Sequence, residues 1–129
     1  MIRFFRGPLL GFVALAFVLH GPAPAGKKDP KKEPTAAQKK IARAIGMGHS
    51  YEKHVVDEKL FPEVKSRDDF IDLIANVLAN RTHHRDLEND REAYYDRKTN
   101  TIVIYNPHAR DRGTCFRPRN GLKYFDNLK

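Results

Sequence analysis

The order of segments along this chain predicts an α+β domain, with N-terminal helices packed on a small antiparallel β-sheet of three to four strands. Three observations carry that expectation. Apolar residues recur at three- and four-residue spacing in the first half of the domain. Later the composition turns to short runs of Tyr, Ile, Val and Thr. Asn, Gly, Pro and charged residues punctuate those runs. There is no internal repeat, and residues 35–129 read as one domain.

What precedes that domain reads as a leader and a linker. Arg3 and Arg6 open residues 1–25, Pro8 to Leu19 form an apolar run, and Ala23-Pro24-Ala25 offers a small-residue cleavage site. That layout predicts a cleavable signal peptide and a secreted or periplasmic protein with no membrane attachment after cleavage. The run falls short of the roughly 20 residues a bilayer span takes. Residues 26–34 are charged, contain Pro30 and Pro34, and predict a solvated basic linker.

Thr35 has the character of a helix N-cap, followed by good helix formers with Ile41 and Ile45 one turn apart; Gly46 and Gly48 end or interrupt that helix. A second helix is expected from near His49 towards Leu60, closed by Phe61-Pro62. Ser66 and Asp69 have capping-box spacing, and behind them Phe70, Ile71, Ile74, Val77 and Leu78 mark the third helix. Thr82 to Glu92 is polar and unperiodic, and reads as a loop containing His83 and His84.

Ala93 to Asp96 and Thr101 to Asn106 have strand composition around a short hairpin connection, Arg97 to Asn100. Arg110 to Gly113 reads as a turn, Thr114 to Arg117 as a third strand, and Asn120-Gly121 as a tight turn returning Leu122 to Phe125 as a fourth.

Charge and cysteine content narrow the possibilities. Without Arg3 and Arg6 the chain keeps 24 less two basic side chains against 16 acidic ones, a net charge of +6. A surplus of that sign favours polyanions. Six lysines of residues 26–40, set against Asp29 and Glu33, supply +4 of it. Cys115 is the single cysteine, so no internal disulfide forms and the core rests on apolar packing, with Cys115 buried in a strand or open to a partner.

The chemistry-bearing residues concentrate in two places. Gly48 to Val55 holds His49, Lys53 and His54 with Ser50, Tyr51 and Glu52, and Gly113 to Pro118 holds Thr114, Phe116 and Arg117. On an α-helix, His49 and His54 stand about 140° apart, which does not suit joint ligation of one ion. No Gly-x-Ser-x-Gly elbow and no paired carboxylates occur. No metal or cofactor is expected. His, Lys, Thr and Arg suit metal-independent RNA cleavage, in which a base takes the ribose 2′-hydroxyl proton, cations stabilise the phosphorane and an acid protonates the leaving oxygen.

From about Gly48 to Phe125 the chain resembles the C-terminal ribonuclease domains of colicin D and of contact-dependent-inhibition toxins, in the barnase, EndoU, colicin and RelE group. Lys53-His54 is similar to a Lys-His pair on the early helix of those nucleases. The hairpin of Tyr94-Tyr95-Asp96 and Ile102-Val103-Ile104 follows in the same order. Thr114-Cys115-Phe116-Arg117 is similar to their late hydroxyl-x-aromatic-basic stretch, with Thr for Ser and Phe for Trp. The Asn120-Gly121 turn and Tyr124 are similar in position.

The resemblance implies a toxin-type endoribonuclease acting on RNA, including transfer RNA. His54 would be general base or acid, His49 the second proton carrier, and Lys53 a stabiliser of phosphate charge. Thr114 would hydrogen-bond a phosphate oxygen, Arg117 would clamp it in bidentate fashion, and Phe116 would stack on a base with Tyr124 beside it. The implied partners are the RNA substrate and a cognate inhibitor (immunity) protein, with the domain itself a monomer. Two other readings stay open: a non-enzymatic exported basic module that binds a polyanion or a partner protein, and a nuclease fold that has lost its chemistry.

Overall fold

The computed structural model describes residues 29–129, so the leader and the first linker residues lie outside the described part. Helix α1, Ala36–Met47, opens on Thr35 with a complete capping box: the Gln38 N–H donates to Thr35 Oγ1 at 3.2 Å, and the Thr35 N–H to Gln38 Oε1 at 2.9 Å. Helix α2, Arg67–Asn80, starts on the Ser66 and Asp69 box. These reciprocal caps satisfy N–H groups that have no intrahelical partner.

The two helices cross where α1 has no side chain. A Cβ at Gly46 would stand 2.4 Å from Ile71 Cγ1, so glycine permits the approach. Around that crossing Ala42, Ile45, Phe70, Ile74, Val77 and Leu78 are buried, and Phe61 meets Phe70 edge-on with ring centroids 5.3 Å apart.

Between the helices lies the first departure from expectation. The second helix is a π-helical segment, Tyr51–Asp57, closed by a bond from the Glu58 N–H to the Lys53 carbonyl at 2.9 Å. The i+5 bonding of a π-helix makes a wider turn than the α form, and such turns concentrate at functional sites.

The sheet is a four-stranded antiparallel meander in the order β1 (His83–Asp86), β2 (Glu92–Asp96), β3 (Thr101–Tyr105) and β4 (Gly113–Phe116). The expected loop from Thr82 to Glu92 therefore contains a strand, and His83 and His84 belong to it. Strand β1 is an edge strand whose residues alternate between half-buried and exposed, so its outward polar side chains cost nothing. Asn89 and Asp90, both at positive φ, make the turn into β2.

The expected fourth strand, Leu122 to Phe125, is instead helix α3, Leu122–Asp126, entered through Gly121 at φ 51°. Its Phe125 is fully covered by the sheet.

Alternation sorts the sheet residues onto two faces. Val103 and Cys115 join Tyr94 against α1 and α2, while Ala93, Tyr95, Ile102, Ile104 and Phe116 face α3 and Phe125. Among the described residues no helix is long and apolar enough to cross a membrane.

Candidate active site

The π-helical segment lies against the free edge of β4, and one side chain seats it there. Ser50 Oγ accepts the Cys115 N–H at 2.8 Å and donates to the Cys115 carbonyl at 3.0 Å. Those are backbone groups that an edge strand leaves without a neighbour. One turn later the same segment brings His54 over Thr114, with Nε2 3.3 Å from Oγ1.

Beside this contact opens a cleft of about 420 Å³. His49, Lys53 and His54 form its helical wall, and Ile104, Thr114 and Phe116 its sheet floor. Asn106, Ala109 and Asp111 rim it from the β3–β4 connection, and Arg91 and Tyr124 close the far side. The volume is in the range of small-molecule and nucleotide sites.

Of the seven side chains expected at a site, His49, Lys53, His54, Thr114, Phe116 and Tyr124 line this one cleft. Both imidazoles line the cleft although His49 stands two residues ahead of the π-helical segment that carries His54. The wider turn of that segment departs from the uniform α-helix on which the expected separation was drawn.

Arg117 is not brought to the cleft. Its guanidinium donates to Glu63 through both terminal nitrogens and to the Leu60 carbonyl at 3.1 Å, and it sits 4.5 Å above the Phe61 ring. The physical reason is strand alternation, which puts Arg117 on the face of Cys115 and turns it away from Thr114 and Phe116. The clamp role expected of it therefore has no geometric basis.

Four residues that the sequence did not single out complete the arrangement. Glu58 Oε2 lies 2.8 Å from His54 Nδ1, one α-like step along the chain, and fixes the ring. Ser50 anchors the wall. Asp111 pairs with His49 Nδ1 at the rim. Arg91, at the β1–β2 turn, supplies the guanidinium that Arg117 does not.

The hydrogens of the Ser50, Thr114 and His54 chain can be assigned by counting. Ser50 gives its only hydrogen to the Cys115 carbonyl, so Thr114 is the donor in the 3.3 Å contact between the two hydroxyls. Thr114 then accepts from Nε2–H when His54 carries both ring protons. When only Nδ1 is protonated, towards Glu58, Thr114 turns its hydrogen to Nε2. The Thr114 hydroxyl thus follows the proton count of His54.

Electrostatics agree with those pairings. The hydrogen bond from His54 holds the Glu58 carboxyl below its ordinary range, against a small opposing effect of desolvation. For Asp111, partial burial works against ionisation, yet the bond and charge of His49 outweigh it and the carboxyl again titrates low. Full burial pushes the Cys115 thiol far up, out of the range in which a thiolate forms.

Among the described residues one group of His, Asp and Glu is spaced to hold a metal ion, His84, Asp86 and Glu92, and it lies outside the cleft at the β1–β2 end of the sheet. Phe116 lies between His54 and Tyr124, tilted by 38° to the first and edge-on to the second, with centroid separations of 5.7 and 5.5 Å, and the exposed Tyr124 ring keeps a face open to a planar base. Compared with protein-family models and with curated proteins, the chain matches none.

Proposed function

We propose that this chain is an exported endoribonuclease of bacterial toxin type, working without a metal through attack of a ribose 2′-hydroxyl on the neighbouring phosphodiester. His54, its ring oriented by Glu58, takes the 2′-hydroxyl proton at Nε2 as the O2′–P bond forms. Lys53 and the Thr114 hydroxyl hold the equatorial phosphate oxygens as charge builds on them. His49 returns a proton to O5′ as the P–O5′ bond breaks. The products are a 2′,3′-cyclic phosphate and a 5′-hydroxyl.

The observation that carries this reading is the 3.3 Å separation of His54 Nε2 from Thr114 Oγ1 inside a cleft that also holds a second imidazole and an ammonium. That contact keeps the base and a hydroxyl donor at one end of the cleft, where one phosphodiester can meet both. Lys53 forms no ion pair among the described residues, so its charge is available to an anion.

The test is digestion of total transfer RNA by residues 26–129 in the presence of EDTA. Cyclic-phosphate ends should accumulate, and His54→Ala should cut the rate by about 100-fold or more. Undiminished cleavage by that variant would overturn the assignment. RNA that is retained but recovered intact would favour the exported binding module instead.

A further inference from the structure

The cleft contains a guanidinium to which the steps above give no work. We propose that Arg91 binds a backbone phosphate beside the scissile one, which makes the substrate a single-stranded polynucleotide and disfavours a dinucleotide. The inference rests on the reading of the cleft as an RNA site.

Three features place Arg91 for that task. It precedes β2 by one residue and shares a sheet face with Ala93, and the paired row Ala93, Ile104 and Thr114 runs across the cleft floor. Two strand spacings, roughly 10 Å, therefore separate the row position of Ala93 from the reacting end at Thr114. An arginine that enters the cleft from two strands away suits the next phosphate along the strand.

The side chain is also braced beforehand. Its Nε donates to the Glu88 carbonyl at 3.0 Å, across the turn made by the left-handed residues Asn89 and Asp90, and the Lys129 carbonyl accepts from Nη2. Bracing by these two backbone oxygens orients the fork.

Charge completes the case. Arg91 forms no ion pair with an Asp or Glu side chain among the described residues, whereas Arg117 is paired with Glu63. The carboxylate on the cleft rim, Asp111, is engaged by His49. A half-buried guanidinium with no Asp or Glu partner, in a cleft that also holds the Tyr124 ring, suits the repeating unit of a nucleic acid strand, a phosphate next to a base.

Salt dependence tests this directly, because each phosphate contact to a single strand adds about 0.7 to the slope of log K against log salt. The probe is a fluorescent, fully 2′-O-methylated RNA octamer, which binds but lacks the attacking hydroxyl. Anisotropy titrations of the full chain between about 50 and 200 mM salt give the slope. Arg91→Gln should lower it by about 0.7, and Arg91→Lys, which keeps the charge, should retain it.

A parent slope in Arg91→Gln would overturn the proposal while leaving the ribonuclease reading intact. A slope lost in Arg91→Lys as well would assign the effect to the turn and overturn it too. Failure of the unmutated chain to bind the octamer would overturn the RNA reading and this inference together. In cleavage assays Arg91→Gln should reduce kcat/KM on an unmodified octamer about tenfold more than on a dinucleoside monophosphate, since a dinucleotide has no second phosphate. Equal losses on both substrates would overturn the assignment.

Discussion

Ser50 grips Cys115 by both of its backbone polar groups, at 2.8 and 3.0 Å, across 65 positions of sequence. This clasp fixes where the helical wall stands against β4, and so sets the separation of His54 from Thr114 sixty residues apart. Ser50→Ala keeps the volume and leaves a buried N–H and C=O without partners. The variant should lose about 1 to 3 kcal/mol in urea denaturation, and cleavage should fall with it. A variant as stable as the parent would show that the wall is seated by something else.

Glu58 touches the proposed base and has no place in the cleft lining, so its effect should be on turnover. Glu58→Ala frees the His54 ring to rotate, and kcat should drop on the order of tenfold or more while KM stays within about twofold. Glu58→Gln still offers an oxygen to Nδ1–H and should recover part of the loss. A large rise in KM with kcat preserved would argue for a binding role.

Acid stability follows from the sign of the carboxylate shifts. The Arg117 hydrogen bonds hold the folded Glu63 carboxyl below its ordinary 4.5, against a smaller desolvation effect. The pairing therefore contributes stability that is fully present above the unfolded value and disappears as pH falls through the lower folded one. Glu58 and Asp111 shift in the same direction. Thermal melts should lose Tm progressively below about pH 4.5, and Glu63→Gln should flatten that acid limb.

Two glycines with positive φ make a matched pair. At Gly113, φ 134°, an added Cβ would meet the Ile104 carbonyl oxygen at 1.9 Å, while at Gly121, φ 51°, its nearest neighbour is Tyr95 Oη at 3.4 Å. Gly113→Ala should cost at least about 1 to 3 kcal/mol and distort the strand that carries Thr114. Gly121→Ala should cost less, about 1 to 3 kcal/mol, because φ 51° with ψ −129° is a backbone region that suits glycine. Comparison of the two denaturation midpoints checks the order.

Several parts of this architecture are plain in the amino-acid order. The caps at Thr35 and Ser66 and the spacing from Phe70 to Leu78 announce their helices, because local hydrogen bonding and one buried stripe decide them. The β2–β3 hairpin is equally clear. Strand β1 is not, since an edge strand with one open face carries no apolar alternation, and only Asn89-Asp90 signals the turn behind it.

Asn120-Gly121 suggests a hairpin, but the same left-handed glycine also starts a helix, and burial of Phe125 under the sheet selects the second outcome. Within the cleft, two-residue alternation along β4 already sets Arg117 apart from Thr114 and Phe116, and the expectation that grouped all three passed over it. The π-helical turn that carries His54 has no comparable mark, because nothing in the local residue pattern separates i+5 from i+4 bonding. Arg91 escaped notice because its place on the cleft depends on β1 and the turn after it, which bring it beside the sheet floor.

The sulfur of Cys115 sits on the back of the strand whose front carries Thr114 and Phe116, with no solvent exposure at all. Sealed in that position, it is a stopwatch built into the molecule. A colourless disulfide reagent that gains colour on reaction will stay silent while β4 is in place, and each turnover of dye will record one departure of that strand. Because the chain has a single cysteine, the trace reports one location with no background.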